Sequence, residues 1–336
     1  MKAVVLHGDV SEDAGIDEKD ALVQAAFVSS ALSDLGYEPI IIPFSFNLSK
    51  TTEMLKEIRP VFVFNLVETV EGQGSLIHVA PSLMDYLRIP YTGAGTEATF
   101  LTSNKVLAKQ FLDARGISTP PFLSADDRSD NPFVEGTYIV KAVWEHASSW
   151  LDENSIIFTQ DRHRLSKAIL SRQEQLGVAC FAEAFIEGRE FNLSMLAGYK
   201  GAEVLPPAEI RFDDFPPGMA RVVDYRSKWV EDSFEYHHTP RCFDFPKEDE
   251  PLLHQLTDLA LRCWRVFDLS GYARVDFRVD KTGRPWVLEV NTNPCLSPDG
   301  GFLAAVERSG LSFTRAIERI IKDVRKQTGE YLLRTF

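Results

Sequence analysis

The sequence of 336 residues predicts an α/β fold. Short apolar strands alternate with helices through residue 66, an order that produces a mainly parallel sheet. Two runs on either side of residue 282 alternate apolar and polar residues with a period of two, which is the pattern of half-buried strands. Because the chain is longer than a typical single domain, we expect two or three subdomains that share one cleft.

The N-terminal part predicts three strands separated by two helices. In chain order these elements are a strand Lys2–Leu6, a helix Asp17–Leu35 ended by Gly36, a strand Glu38–Pro43, a helix Thr51–Ile58 and a strand Val61–Leu66. Ligands collect at the carboxyl ends of the strands in an open parallel sheet. We therefore expect Glu68, Glu71 and the loop with Gly93 and Gly95 to lie at a binding edge.

The remaining elements follow from the same patterns. They are helices at about 75–87, 96–116 (broken near 103–105), 161–174, 251–267, 303–309 and 312–326, and strands at 137–140, 156–158, 180–186 and 190–197. The segments 215–218 and 227–239 show little periodicity and are predicted to be loops.

The two alternating runs predict a hairpin with a polar face. Strands 273–279 and 285–290 are joined by a turn that contains Gly283. The pattern places Val287, Glu289 and Asn291 on one face of the second strand, with Trp286, Leu288 and Val290 on the other. Asp276, Glu289 and Asn291 would then bring two carboxylates and an amide oxygen together, a ligand set that suits Mg²⁺. Taken alone, an Asp and a Glu on the polar face of a hairpin are more often solvated surface groups.

Composition limits the partners and the compartment. The net charge of −13 should repel nucleic acid and anionic membranes, although it allows a local basic pocket for ATP. No run approaches the roughly 20 apolar residues of a membrane span, and the opening residues become polar too soon for a signal peptide. The four cysteines have no metal-binding spacing, which favours a reducing cytoplasm.

Several motifs, taken in order, carry a resemblance to a known family. They are "NLVETVEGQG", "IPYTGAG", "SNKVLAKQFLDARGISTP", "YIVKAVWEHASS", "FAEAFIEGREFNLSML", "VVDYRSKW", "YARVDFRVD" and "LEVNTNP". With these motifs nearly the whole chain resembles the ATP-grasp superfamily, and within it the D-alanine–D-alanine ligase branch.

The resemblance implies an ATP-grasp fold and an ATP-dependent carboxylate–amine ligase. We expect an N-terminal α/β domain at 1–95, a central ATP-grasp subdomain at 96–183 and a C-terminal subdomain at 184–336, with ATP held between the last two. Family chemistry forms an acyl phosphate, which an amine attacks to give an amide, ADP and phosphate. The implied cofactors are ATP and Mg²⁺, which Mn²⁺ can replace, the implied substrates are amino acids or small peptides, and the implied assembly is a homodimer.

The resemblance also assigns roles residue by residue. Lys105 and Lys141 match lysines that face the ATP phosphates. Glu183, with the backbone of Ala184 and Ile186, matches the adenine-binding edge, and Glu190 matches the residue that binds the ribose hydroxyls. A surface position is the alternative for either lysine and for Glu190.

A second set of matched residues belongs to the reacting centre. Asp276, Glu289 and Asn291 match the magnesium ligands, and Arg274 matches the arginine that stabilises the oxyanion of the tetrahedral intermediate. Lys228 matches the lysine that contacts the transferring phosphate. Tyr225 matches a tyrosine of the flexible loop that closes over the site, and Ser148 matches a serine of the phosphate-covering loop.

Four departures concern the substrate half of the site. The segment "EHASSWL" has His146 and Trp150 in place of glycines and Ala147 in place of a serine. Cys295 replaces a glycine, either as a small buried apolar residue or as a catalytic thiol. The serine that holds the second substrate's carboxylate aligns near Asp299, Gly300 and Gly301, so a D-alanine acceptor is not implied. The N-terminal motif also differs, although Asp17 or Glu18 could bind a substrate ammonium.

Two other activities stay open at this point. One is an ATP-grasp enzyme that phosphorylates a small molecule without forming an amide. The other is a nucleotide-binding module without turnover, whose sequence mark would be the loss of the metal carboxylates, and here both are present.

Overall fold

The N-terminal sheet has three parallel strands. The computed structural model describes residues 1–11, 13–125, 133–144, 151, 155–199 and 201–334, with side chains described up to residue 324. Strands β1 (Lys2–Gly8), β2 (Glu38–Phe44) and β3 (Val63–Leu66) lie in the order β2-β1-β3, and helices α1 (Ile16–Asp34) and α2 (Leu48–Ile58) connect them. The predicted alternation of strands and helices is therefore confirmed.

The predicted helix at 75–87 is wrong in its first turn. A short 3-10 helix at Gly74–Leu76 precedes α3 (Val79–Leu87). The physical reason is Pro81, which has no N–H to donate to Ile77 and therefore cannot continue a helix from residue 75.

The central sheet has four antiparallel strands. They are β4 (Phe122–Ser124), β5 (Gly136–Ala142), β6 (Ile156–Thr159) and β7 (Cys180–Ala184), in the order β4-β7-β5-β6. Helix α6 (Arg162–Leu176) covers one face of this sheet, with Leu165 and Ile169 fully buried against it.

The large sheet carries the predicted hairpin. Its strands are β8 (Gly188–Leu196), β9 (Glu203–Val204), β10 (Ala208–Ile210), β11 (Arg241–Cys242), β12 (Tyr272–Asp280) and β13 (Pro285–Asn291). They run in the order β11-β10-β8-β12-β13, and β9 pairs with β8. Helices α4 (Thr96–Ser103), α5 (Lys105–Ala114) and α9 (Glu250–Val266) share a core with this sheet.

Two helices at the C-terminal end return to the N-terminal sheet. Helices α10 (Gly301–Arg308) and α11 (Phe313–Arg334) share a core with β1, α1 and Tyr272 of β12. Each sheet corresponds to one of the three predicted subdomains, although β7 ends at Ala184, one residue beyond the predicted boundary at 183. However, α4 and α5 pack on the large sheet although the sequence assigns them to the central unit, so the boundaries at 95 and 183 stay a prediction.

The predicted face assignment of β13 is wrong. Asp276 pairs with Glu289 whereas Phe277 pairs with Val287, so Leu288 is an extra residue in a β-bulge. The bulge turns Val287 and Val290 into the core and leaves Leu288 and Glu289 facing the cavity described below. A regular period of two fails at this position because one strand holds a residue more than its neighbour.

The segment predicted to be a loop at 227–239 contains two short helices. They are α7 (Tyr225–Trp229), whose first turn is capped by the Asp224 carboxylate, and α8 (Phe234–His237), capped by the Ser233 hydroxyl. Each helix has only about one turn, which is too short to show a helical period in the sequence. Within the described residues, no helix has the length and apolar character needed to cross a membrane.

Candidate active site

A cavity of about 1880 Å³ is lined by residues of all three sheets. Gly8 of β1, Lys141 of β5 and Arg274 of β12 mark its three sides. Within the described part of the chain, every residue to which the family resemblance assigns a role lines this cavity, and so does Glu68. Glu71, Gly93 and Gly95, which were predicted at the same edge, do not line it. Ser148 and the segment 145–150 lie outside the described residues.

Asp276 and Glu289 are direct cross-strand neighbours on β12 and β13. Arg274 donates to both oxygens of Asp276, at 2.7 and 2.8 Å, and Asn192 of β8 donates to one of them at 2.8 Å. Asn291 is paired with Arg274 in the register and accepts a hydrogen bond from the Asn293 N–H at 2.9 Å. Two carboxylates and an amide oxygen therefore face one side of the cavity, as the sequence predicts.

Arg274 is a permanent cation at this centre. Burial by itself lowers the pKa of its guanidinium, but the Asp276 carboxylate and Glu289 keep that pKa above its ordinary value. Its fork of donors is fixed by the two bonds to Asp276, which orients the remaining N–H groups.

Three lysines face the same part of the cavity from three elements. Lys105 begins α5 and lies 3.7 Å from a Glu289 oxygen, Lys141 belongs to β5, and Lys228 belongs to α7. Burial and the positive charge of Arg274 lower the pKa of Lys228. These charges converge from separate elements, an arrangement that suits a polyanion such as a triphosphate.

Glu183 is held by two lysines, of which the sequence indicates one. Its carboxylate lies 2.6 Å from Lys141 Nζ and 2.5 Å from Lys109 Nζ, and all but about 1% of the residue is buried. Burial raises the pKa of Glu183, but the two ammonium groups outweigh that effect and lower the pKa to about 2. The Ala184 N–H already donates to the Pro121 carbonyl, so only the carbonyl of Ala184 could bind the edge of a purine.

Lys109 is a residue that the sequence analysis missed. It also donates to the Thr119 hydroxyl at 2.8 Å and to the Leu288 carbonyl at 3.4 Å, so it connects the central sheet to the bulge of β13. Its position in the sequence could have indicated that it is buried, because it lies on the apolar side of α5 beside Ala108 and Leu112. A fully buried lysine needs a carboxylate partner, and Glu183 supplies it.

Glu190 is likewise held by an arginine that was missed. Arg278 lies opposite Glu190 in the register of β12 and β8, with Nη2 at 2.8 Å from the carboxylate. Arg278 is 3% exposed and lies near the rings of Phe185 and Phe212. The ion pair fixes the direction in which the Glu190 carboxylate faces the cavity.

Polar groups of α1 form a hydrogen-bond network on the side of the cavity that the N-terminal domain contributes. Asp20 accepts hydrogen bonds from the Ser297 hydroxyl at 2.5 Å, the Cys295 thiol at 3.2 Å and Gln24 Nε2 at 3.0 Å. Asp17 accepts from the Tyr225 hydroxyl at 3.3 Å, so α7 and α1 meet across the cavity. The sequence indicates Asp17 and Glu18 but misses Asp20 and Gln24, although residues 17, 20 and 24 share one helical face by their spacing.

The Cys295 thiol donates a hydrogen bond to Asp20 in this network. Burial, together with the negative charges of Asp20 and Glu68, raises the pKa of its thiol. A thiolate nucleophile, one of the two sequence-based interpretations, is therefore disfavoured. The thiol instead helps to fix Asp20.

No cluster of three or more His, Cys, Asp or Glu side chains suitable for a metal occurs among the described residues, so the predicted metal site depends on two carboxylates and an amide.

The fold and the site define an ATP-grasp protein, a class in which two sheets enclose a nucleotide. Residues 156–322 match the sequence profile of the family described as "D-ala D-ala ligase C-terminus". The D-alanine–D-alanine ligase of Rhizobium meliloti (strain 1021) is 30% identical over 279 residues, which cover 80% of this chain and 82% of the relative. The D-alanine–D-alanine ligase of Synechococcus sp. (strain JA-3-3Ab) is 29% identical over 328 residues, which cover 96% of this chain and 93% of the relative.

A solved structure has the same fold. The D-alanine–D-alanine ligase from Bacillus anthracis complexed with ATP superposes with a TM-score of 0.72 at 20% identity and covers 98% of this chain and 99% of the relative. The chain belongs to the D-alanine–D-alanine ligase family. The sequence-based interpretation as an ATP-dependent ligase that forms carbon–nitrogen bonds is confirmed at the level of this class.

Removing Lys141 should weaken ATP binding. We expect Lys141→Ala to raise the KM for ATP about tenfold to a hundredfold, because a hydrogen bond to a charged group is worth about 1.5–3 kcal/mol. Steady-state kinetics against ATP measures the effect, with Lys167→Ala on the exposed surface of α6 as the matched control. An unchanged ATP dependence would remove Lys141 from the phosphate site.

Proposed function

We propose that the protein joins the carboxylate of one amino acid or small peptide to the amine of another, at the expense of ATP. The carboxylate takes the γ-phosphoryl group to form an acyl phosphate, and the amine then displaces phosphate. The observation that carries this proposal is the cross-strand pair Asp276 and Glu289 beside Arg274, which lines one cavity together with the three lysines.

The residues present fit Mg²⁺ or Mn²⁺. Asp276, Glu289 and Asn291 would hold the ion with hard oxygen donors, which these cations prefer. Asp276 Oδ2 accepts only from Arg274 and retains a second lone pair for an ion, whereas Oδ1 accepts from both Arg274 and Asn192. The bound ion would supply positive charge against the triphosphate.

Other residues of the cavity would bind the nucleotide and stabilise the charge that develops during the reaction. Lys105 and Lys141 neutralise phosphate oxygens, and the edge of β7 with Glu190 positions the nucleoside. Arg274 and Lys228 donate to the charge that develops as the carboxylate is phosphorylated and then attacked. The segment from Gly218 to Trp229 lines the cavity and would limit the access of water to the acyl phosphate.

Arg241 supports a carboxylate-bearing second substrate. Its guanidinium lies over Gly301, where an added Cβ would be 3.3 Å from Nε, and Nη1 donates to the Asp299 carbonyl at 3.0 Å. This is the region in which the resemblance places a serine for that carboxylate, and the chain has glycines there. Burial and the nearby Arg274 lower the pKa of Arg241, which stays a cation at neutral pH.

Arg241 therefore predicts a selective kinetic effect. We expect Arg241→Met to raise the KM for the amine substrate about tenfold to a hundredfold, because a charge-assisted bond to a carboxylate is lost. The KM for ATP should stay the same, and a descarboxy amine should be used equally well by both forms. If the substitution alters the two KM values in parallel, Arg241 does not contact the second substrate's carboxylate.

The activity itself is tested by product analysis. The purified chain is incubated with ATP, Mg²⁺ and pairs from a panel of D- and L-amino acids and dipeptides, and ADP release is measured alongside mass detection of amides. Amide formation in proportion to ADP is expected. A phosphorylated product without an amide would indicate a kinase, and ATP binding without ADP would indicate a module without turnover.

A further inference from the structure

Glu68 lines the cavity and has no part in the chemistry assigned above. It follows β3, at the carboxyl edge of the N-terminal sheet, and it is half-buried. Burial is the main cause that raises the pKa of its carboxyl group to about 7. The Asp20 charge adds to this rise, whereas the Gln24 hydrogen bond, Arg274 and Lys228 oppose it.

The position of Glu68 is fixed from two sides. The Leu296 N–H donates to Gln24 Oε1 at 2.9 Å, which orients the amide so that Nε2 donates to Glu68 Oε1 at 3.1 Å. Asn293 donates to the Val67 carbonyl at 3.2 Å and so holds the residue before Glu68 against the end of β13. Among the described residues, no group donates a hydrogen bond to the other oxygen of Glu68.

Four other carboxylates of the cavity are already engaged. Asp20 accepts three hydrogen bonds, Asp17 accepts from Tyr225, and Asp276 accepts from Arg274 and Asn192. Glu289 lies beside Lys105. Glu68 is thus a carboxylate with an oxygen open to the cavity and with the charges of Arg274 and Lys228 close enough to act on it.

The geometry points to Glu68 as the general base that takes a proton from the attacking amine, an inference that depends on the ligase activity proposed above. The amine arrives as an ammonium ion with three protons on nitrogen and ends as an amide with one. Glu68 accepts one proton and passes it to solvent, and the departing phosphate takes the other. The C–N bond forms with the nitrogen lone pair as the bond from the acyl carbon to the phosphate oxygen breaks.

The rate of amide formation is expected to depend on pH through the ionisation of Glu68. The carboxylate must be ionised to accept a proton, so the rate of amide formation should fall as the pH drops below about 7. The groups that set this midpoint are Asp20 on α1, Arg274 on β12 and Lys228 on α7, with Tyr272 and Cys295 as uncharged neighbours.

The test compares an amine substrate with hydroxylamine in the Glu68→Gln variant. Hydroxylamine is a much weaker base than an alkylamine, is unprotonated at neutral pH and needs no base before it attacks an acyl phosphate. We expect Glu68→Gln to form the amide about 100-fold to 10,000-fold more slowly, while ATP-dependent hydroxamate formation from the carboxylate substrate stays within a few-fold of wild type. The residual amide formation should lose the pH midpoint near 7.

The controls separate the possible failures. Glu38→Gln, at the amino end of β2 on the far edge of the same sheet, should match wild type in both assays. Equal loss of amide and hydroxamate in Glu68→Gln would overturn the base assignment and indicate a structural role. Retention of amide formation with the same pH profile would overturn it as well. If wild type forms no hydroxamate or amide with any substrate, the proposed ligase function fails, and the inference about Glu68 fails with it.

Discussion

Glu289→Gln is expected to lower Mg²⁺-dependent ADP formation about a thousand-fold or more. The substitution keeps the size of the side chain and its place opposite Asp276 but removes one of the two negative charges that would hold the cation. A bound divalent ion is worth several kcal/mol of transition-state stabilisation, and each 1.36 kcal/mol is about a factor of ten in rate. The loss should appear in kcat as well as in the apparent affinity for Mg²⁺.

The measurement is ADP release as a function of Mg²⁺ and Mn²⁺ concentration. Glu307→Gln, an exposed position on α10, is the matched control and should behave as wild type. A thermal unfolding curve close to that of wild type shows that the fold is kept. Full activity of Glu289→Gln at ordinary Mg²⁺ concentrations would contradict the metal assignment.

Arg274→Met is expected to lower kcat about a hundredfold to a thousandfold, the usual cost of removing one donor to a developing oxyanion. Arg274 bonds directly to Asp276, one of the carboxylates proposed to hold the metal, and these two bonds hold the arginine in one orientation. Without it, Asp276 keeps only the Asn192 bond among those described. Since that carboxylate is 9% exposed, the variant should also be less stable.

Arg274→Lys distinguishes charge from geometry. A lysine keeps the positive charge but loses the planar fork that bonds both Asp276 oxygens, so we expect intermediate activity. Single-turnover kinetics with a saturating amine measures the chemical step, and Arg164→Met on the exposed side of α6 is the control. If Arg274→Met turns over at the wild-type rate, the arginine has no role in stabilising the transition state.

The hairpin shows how far the sequence alone leads. The alternation in 273–279 and the position of Asp276 and Glu289 predict adjacent carboxylates, because a period of two leaves few ways to pair the strands. The bulge at Leu288 cannot be predicted in this way. It depends on Val287 and Val290 both packing against the core shared with α5 and α9, which is a tertiary preference rather than a local one.

Residues that act through long-range contacts were harder to find. Lys109, Arg278 and Asp20 have no local feature as strong as a strand pattern, since their partners lie 74, 88 and 277 positions away in Glu183, Glu190 and Ser297. The spacing of Asp17, Asp20 and Gln24 on one face of α1 was available as a signal. The function of that helical face could be inferred only once the structure showed that the edge of the N-terminal sheet and the turn after Asn291 lie against it.

The central claim is that a carboxylate is activated by phosphorylation before an amine attacks it, and an isotope label tests this most directly. The carboxylate substrate is enriched with ¹⁸O, the reaction is run with ATP, Mg²⁺ and the amine, and the released phosphate is examined by mass spectrometry. We predict one labelled oxygen in each phosphate, because the acyl carbon–oxygen bond breaks while the oxygen stays on phosphorus. Amide formed together with unlabelled phosphate would contradict the account.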